Sequence, residues 1–358
     1  MDVRSIPNLL DIKEYPEKEI KRILDKELIV KLSNNENVYG PSPKALEVIK
    51  DAVENLQFYP DPQAASLKRK LCNLWNIQIE EILIGNGADE VIDLIVRALL
   101  QEGDEAIIPT PTYDNYAVAV SRCRGICKFL DMRMGNFDLE EIQGAITEKT
   151  KMIFLCNPNN PTGAFISGLA LERFIEALPE HVILVLDEAY AEYECSHVSG
   201  IRYINKKNIL AIRTFSKIYG LAACRIGYVA GKSTLIKKLN DARLLFNTNT
   251  LGLIAAEASL EDPIHIGKIK YSNQKSKALM IRQLEKQGIS YFNSSGNFIM
   301  INTGIDSINI YVRLLERGIV VKPILHEKYR TCIRVTLGTD EMNNYFLDAL
   351  FGIVYQHE

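Results

Sequence analysis

Short aliphatic runs alternate with loops and helical stretches through the middle of this chain, and that alternation is its tightest constraint. The runs are Ile82-Leu-Ile84, Glu105 to Pro109, Gly125 to Phe129, Thr150 to Cys156, His181 to Leu186, Ile209 to Arg213 and Ile226 to Ala230. Several are followed by loops rich in Gly, Pro, Asn or Asp, and then by helical stretches. Strand, loop and helix repeating in this order predict an α/β layer with a mostly parallel sheet. The pattern changes on either side. Before it, Lys18 to Leu28 reads as a helix, and Lys31-Leu-Ser-Asn-Asn-Glu-Asn-Val-Tyr-Gly-Pro-Ser-Pro43 as a long ordered turn. Pro43 then starts a helix with Leu46, Ile49 and Val53 on one face, and Leu67 to Trp75 is a further helix. After about residue 245 come a long helix from Ile264 to Lys286 and strands at Asn297–Asn302, Ile319–Val321 and Ile333–Leu337. Helices at Ser307–Glu316 and Glu341–Phe351 complete a smaller α+β unit. The expected division is an N-terminal segment (1–44) associated with the small unit, a large domain (45–245) and a small C-terminal domain (246–358).

In open α/β sheets, ligands sit outside the carboxyl ends of the strands. The distinctive polar residues of this chain fall at those ends. Gly85-Asn-Gly-Ala-Asp-Glu90 joins a strand to a helix, so its amides face an anion-favouring helix N-terminus. A dinucleotide fingerprint would need glycine where Glu90 stands, and the next strand ends in Pro-Thr-Pro rather than an acidic ribose ligand. A tight turn is the competing reading. Tyr113 follows a strand and offers a ring to stack on a flat ligand, although a loop tyrosine more often just packs. Asn160 sits in Asn-Pro-Asn-Asn-Pro-Thr-Gly, a loop stiffened by proline. Asp187 closes five aliphatics, Val182 to Leu186, where an unpaired carboxylate is costly, so it needs a cationic partner. Tyr190 lies three residues on. Lys217 lies just past the strand at Ile209, with Thr214 and Ser216 on one side and Gly220 and Arg225 on the other. In isolation it would be a solvated loop lysine. With the other strand ends, it completes the parts that hold pyridoxal phosphate. These are an imine-forming lysine, an aspartate for the ring nitrogen, Asn and Tyr for the ring oxygen, and amides, hydroxyls and an arginine for the phosphate.

Composition narrows the alternatives. The chain has 358 residues, 47% hydrophobic and 24% charged, with a formal net charge of −3, so it is an ordinary globular protein with no basic surface for nucleic acid. Its seven cysteines are scattered, and Cys123 and Cys127 have no matching second pair, which argues against zinc and for reduced thiols in a cytoplasmic protein. The first twenty residues contain no apolar core of a signal peptide, and no run is long enough to span a bilayer.

The segments LSNNENVYGPSP, YPDPQAASLKRKL, GNGADEVIDL, PTYDNY, NPNNPTG, DEAY, TFSKIYGLAACRIGY, GNFIMIN and IRVTLGT occur in order from about Leu32 to Leu350. Together they resemble the fold-type I, class I/II aminotransferases, and most closely the histidinol-phosphate aminotransferases. The resemblance implies that Lys217 forms the covalent link to pyridoxal phosphate and later shuttles a proton. It implies that Asp187 pairs with the ring nitrogen, that Asn160 and Tyr190 contact the ring oxygen, and that Tyr113 stacks on the ring. Ala88, Asp89, Thr214, Ser216 and Arg225 would bind the phosphate. Tyr59 would come from the second subunit of a homodimer. Arg334 would bind the anionic end of the substrate, with Lys322, Asn35, Asn297 and Tyr15 near it. Four positions depart from the family pattern. Val38 replaces a proline, Ala223-Cys224 replaces Gly-Leu, and Lys322 replaces an arginine, which keeps the charge but loses the bidentate fork.

The expected activity is transfer of an amino group between histidinol phosphate, or a related amino acid, and a 2-oxo acid such as 2-oxoglutarate. The alternatives are decarboxylation of a phosphorylated amino acid, or oxidation or elimination in specialised metabolism, on the same scaffold. A ligand-sensing regulator would carry a DNA-binding domain ahead of the resemblance, and none is expected in the first 31 residues.

Overall fold

The computed structural model describes residues 8–355. Residues 1–7, part of the stretch in which no leader was read, lie outside the described residues. In chain order the first elements are α1 (Glu17–Leu24), β1 (Val30–Lys31), α2 (Pro43–Ala52), α3 (Ala65–Trp75), β2 (Ile82–Gly85) and α4 (Gly87–Leu99). There follow β3 (Glu105–Thr110), α5 (Asn115–Arg122), β4 (Ile126–Asp131), α6 (Leu139–Gly144), β5 (Thr150–Cys156), α7 (Gly168–Ala177), β6 (Ile183–Asp187) and β7 (Ile209–Thr214). Next are β8 (Gly227–Gly231), α8 (Ser233–Ala242), α9 (Thr250–Leu260) and α10 (Pro263–Lys286). The chain closes with β9 (Ser290–Phe292), β10 (Phe298–Asn302), α11 (Ser307–Leu315), β11 (Ile319–Val320), β12 (Lys322–Pro323), β13 (Cys332–Thr336) and α12 (Asp340–Val354).

Seven strands form the large sheet in the order β2-β8-β7-β6-β5-β3-β4. All neighbours run parallel except β8, which is antiparallel to both β7 and β2. The central strands β5 to β8 are buried along nearly their whole length, which is why they read as continuous aliphatic runs rather than alternating ones. Their register aligns the strand ends. Asp187 lies between Cys156 on β5 and Ile212 on β7, and Thr214 lies beside Gly227. Helix α4, with Val91, Leu94 and Ile95 fully buried, covers one face of the sheet and α7 the other, so side-chain layers seal the strands from water.

The small unit is built on a four-stranded antiparallel sheet, β12-β13-β10-β9, with α10, α11 and α12 packed on it. The run Ile319–Val321, read from the sequence as one strand, is strand only over Ile319–Val320. That strand, β11, pairs in parallel with β1, and the chain then turns so that Lys322 pairs with Arg334 on β13. Ile12, Ile20, Leu24, Val30 and Leu32 are buried in one cluster with Met280, Tyr311, Phe346 and Leu350, so the N-terminal segment is packed into this unit. Helix α9 lies beyond residue 245, where the sequence reading set the boundary. It nevertheless packs on α2 and α3, with Leu253, Ala255 and Ala256 buried in the large unit's core.

Candidate functional site

The loops after β2, β3, β5, β6 and β7 meet strand β13 and the Asn34–Glu36 turn around a cavity of about 380 Å³. Ala88, Asp89, Tyr113, Asn160, Asp187, Tyr190, Thr214, Ser216, Lys217, Arg225, Lys322 and Arg334 all line it. Residues from positions 88 to 225 converge there because the large sheet delivers their loops to one edge, and β12 and β13 of the small sheet add Lys322 and Arg334.

Lys217 follows β7 by three residues and is partly exposed to the cavity. Its Nζ donates to the Asn34 carbonyl at 3.0 Å and lies 5.7 Å from the centre of the Tyr190 ring. Burial first, and then the Arg334 guanidinium, push its pKa down to about 8. A substantial fraction of this amine is therefore neutral, and nucleophilic, near physiological pH.

Asp187 is 4% exposed and has no ion-pair partner among the described residues. Its Oδ1 accepts the Ala189 N–H at 3.0 Å, and its Oδ2 accepts the Tyr116 hydroxyl at 2.6 Å. Burial raises its pKa to about 6, against the pull of those two donors. A buried carboxylate that faces the cavity with no cation paired to it suits a ligand that brings one. The Tyr190 hydroxyl, also buried, accepts from Asn35 Nδ2 at 2.9 Å, and burial pushes its pKa above the ordinary range.

The opposite wall suits an anion. Helix α4 begins at Gly87 with no side chain capping it, so its first amides stay open. A Cβ on Gly87, where φ is +83°, would lie 2.6 Å from Arg225 Nη2, so only glycine lets the arginine lie against the turn. Arg225 Nη1 donates weakly to Ser216 Oγ at 3.5 Å, and Nη2 pairs with Asp89 Oδ2 at 3.2 Å. The Thr214 hydroxyl accepts the Ser216 N–H at 3.1 Å. The other Asp89 oxygen accepts the Tyr113 hydroxyl at 2.6 Å and Asn115 Nδ2 at 2.9 Å. The Asp89 carboxylate is thus occupied, and only its main chain is free to meet an anion.

At the small-unit side, Arg334 is 4% exposed. It donates to Asn160 Oδ1 and to the Ser33 carbonyl, and its Nε is buried without a partner. Lys322 sits opposite it across β12 and β13, with no hydrogen bond or ion pair among the described residues. Burial, and then Arg334, lower its pKa. Two adjacent cations, one with a spare donor, fit an anionic group from a ligand. Asn35 and Asn297 stand behind this wall. Asn297 Nδ2 donates to the Asn35 carbonyl at 3.1 Å, and Asn297 Oδ1 is buried without a partner.

Four expected site residues lie outside the cavity lining: Asn35 and Asn297, which stand behind it, and Tyr15 and Tyr59. Tyr15 is at the surface, although its neighbour Glu14 does line the cavity. Tyr59 is 81% exposed and stacks on Phe246 at 4.6 Å. Conversely, Glu14, Glu36 and Cys156 line the cavity, and Tyr116 touches Asp187 from behind it, without having been singled out in the sequence. Tyr116 closes the motif Pro-Thr-Tyr-Asp-Asn-Tyr, and its spacing of three from Tyr113 was the available signal.

The chain matches the family described as aminotransferase class I and II over residues 27–350. It is 38% identical to histidinol-phosphate aminotransferase 2 of Carboxydothermus hydrogenoformans over 94% of each chain. It is 36% identical to the histidinol-phosphate aminotransferase of Moorella thermoacetica over 97% of this chain and 92% of that one. Its structure superposes on the histidinol-phosphate aminotransferase of Sinorhizobium meliloti, solved in complex with pyridoxal-5'-phosphate, with a TM-score of 0.91 at 27% identity. That match covers 99% of this chain and 97% of the other.

Proposed function

The chain belongs to the class I and II aminotransferases, and we propose that it moves an amino group between histidinol phosphate, or a related amino donor, and a 2-oxo acid such as 2-oxoglutarate. Its cofactor is pyridoxal phosphate, and the reaction is transamination. One observation carries the residue assignment: a half-buried lysine of lowered pKa and a buried carboxylate with no paired cation face the same cavity, which also has an open helix N-terminus.

Bound there, pyridoxal phosphate supplies an electron sink that weakens the bonds to a substrate Cα. The chain's own residues do the rest. Lys217 Nζ would be the covalent anchor, and the same amine is placed to serve as general base and acid toward the substrate Cα. Asp187 holds the ring nitrogen protonated. Tyr190 and Asn160 contact the ring oxygen, and Tyr113 covers the ring face. The amides of Ala88 and Asp89, the hydroxyls of Thr214 and Ser216, and Arg225 hold the phosphate. Arg334 and Lys322 bind the donor's anionic end, supported by Asn35 and Asn297, and Tyr15 covers it. Fixing that end would orient the donor's Cα toward Lys217 Nζ.

Tyr59 supports a homodimer in which each subunit completes the other's site. Its ring and those of Phe58 and Phe246 lie with Leu56, Leu244 and Leu245 on loops joined by the Tyr59–Phe246 stack, and all but Phe246 are well exposed. All seven cysteines are unpaired, and no helix among the described residues is long and apolar enough to cross a membrane, which supports a cytoplasmic location.

The test is to titrate the yellow protein with histidinol phosphate and other amines, with and without 2-oxoglutarate. Glutamate formed from histidinol phosphate is the expected result. Carbon dioxide release, or oxygen consumption without a 2-oxo acid, would overturn it.

A further inference from the structure

We propose that Tyr116 is a positioning residue for the cofactor, holding the Asp187 carboxylate and the Tyr113 ring on one support behind the cavity. Tyr116 lies in the first turn of α5 and is fully buried. Its hydroxyl donates to Asp187 Oδ2 at 2.6 Å, the range of a charge-assisted bond. Its ring stacks on Phe154 of β5, with centroids 4.9 Å apart and planes 17° apart, so the hydroxyl cannot swing away. On the other side it meets Tyr113 edge to face at 5.6 Å and 81°. Tyr113 precedes α5, and the Tyr116 N–H donates to its carbonyl at 3.4 Å, so the two tyrosines are joined by the turn that opens the helix. Resting on the proposed function, in which Asp187 would meet the ring nitrogen and Tyr113 the ring face, one side chain joins both residues.

The hydroxyl also holds the charge of Asp187. Burial raises the pKa of this carboxyl, and Tyr116 is the strongest of the groups acting against it. The other ionisable groups around Asp187 are Cys156 on β5, Glu188 beside it, Asp89 on α4, Tyr113, Tyr190, and Lys217, which lines the same cavity. Glu188 and Asp89 raise its pKa further, so they cannot keep it ionised. Without the Tyr116 hydroxyl, more of Asp187 is neutral near pH 7, and a neutral carboxyl is a poor counter-ion for a protonated ring nitrogen.

Tyr116→Phe keeps the stack on Phe154 and removes only the hydroxyl. The variant should bind pyridoxal phosphate about 10- to 100-fold more weakly, as expected for a lost buried hydrogen bond to a charged group. The pH midpoint of the lysine-linked cofactor's visible absorbance should move upward, because a less protonated ring nitrogen withdraws less charge from the linkage. Both effects should vanish when Tyr116→Phe is made in an Asp187→Asn background, since the two residues act as one unit. Additive losses in that double-mutant cycle, or an unmoved absorbance midpoint, would overturn the proposal and leave Tyr116 a packing residue. Neither measurement uses a substrate. Wild-type protein without the visible band would sink the cofactor reading itself, whereas a normal wild type with an indifferent variant sinks only this inference.

Discussion

Lys217 and Asp187 have opposite titration problems, and both are set by burial. The amine is pushed down to about 8, so its neutral form dominates above that pH. Covalent loading of the apo-protein should therefore accelerate with rising pH and reach half its maximum near pH 8. A rate still climbing steeply above pH 9 would mean an unshifted lysine. Lys217→Ala should lose the visible absorbance of the lysine-linked cofactor and slow the proton transfer by at least about 10²-fold, the lower end for a general acid–base group. Asp187 has a folded pKa near 6, above its ordinary 3.8. Its contribution is most favourable below pH 4 and is lost as pH rises through 6, because the apo-fold must then bury a charge. Asp187→Asn should stabilise the apo-protein at pH 7.5 by up to about 3 kcal/mol in urea unfolding, while abolishing tight cofactor binding. Equal stability of the two proteins at both pH 5 and pH 7.5 would refute that linkage. At the substrate end, Lys322→Arg should lower KM for histidinol phosphate by about tenfold if the donor carries a phosphate there, because a guanidinium binds it with two parallel hydrogen bonds. An unchanged KM would point to a donor without one.

At the scale of elements, strands were legible where burial is complete. The run Thr150 to Cys156 is β5 to the residue, since Met152 to Cys156 are buried on both faces and read as one continuous apolar stretch. Elements that escaped notice gave no periodic signal. Helix α9 buries nearly every side, with Leu253, Ala255, Ala256 and Ala258 spread around it, so it has no amphipathic stripe. The two-residue β1 exists only because β11 lies beside it. The loop holding Lys217 is an element of this second kind. Gly220 has φ +69°, and a Cβ there would lie 2.6 Å from the Gly40 main chain. The turn before α2 and the lysine loop therefore touch backbone to backbone, and Asn37 Nδ2 donates to the Ile218 carbonyl at 2.8 Å to fasten them. Gly220→Ala should cost about 1–3 kcal/mol through strain and overpacking. It should also loosen the lysine, seen as weaker cofactor binding at unchanged helix content. A variant as stable as the parent would show that the two loops yield freely.

For the whole molecule, the proposed dimer makes the most exposed aromatic in the site list meaningful. Tyr59 serves no cavity in its own subunit, but it sits in the apolar surface formed with Phe58, Leu244 and Leu245. Wild-type protein should sediment as a dimer, and Leu244→Asp with Leu245→Asp should give folded monomers that have lost most of their activity. Fully active monomers would remove the partner from the site. The sequence by itself determined the fold class, the cofactor chemistry and most of the cavity lining. Aliphatic strands must be buried, and the loops at their carboxyl ends are then collected at one edge of the sheet. Only the tertiary structure decided how those residues are charged and held. The pKa values of Lys217 and Asp187, the two cations left side by side at Arg334 and Lys322, and the support that Tyr116 gives from behind arise from groups far apart in the chain. Desolvation and pairing belong to the neighbours that a side chain acquires on folding, and no local pattern records them.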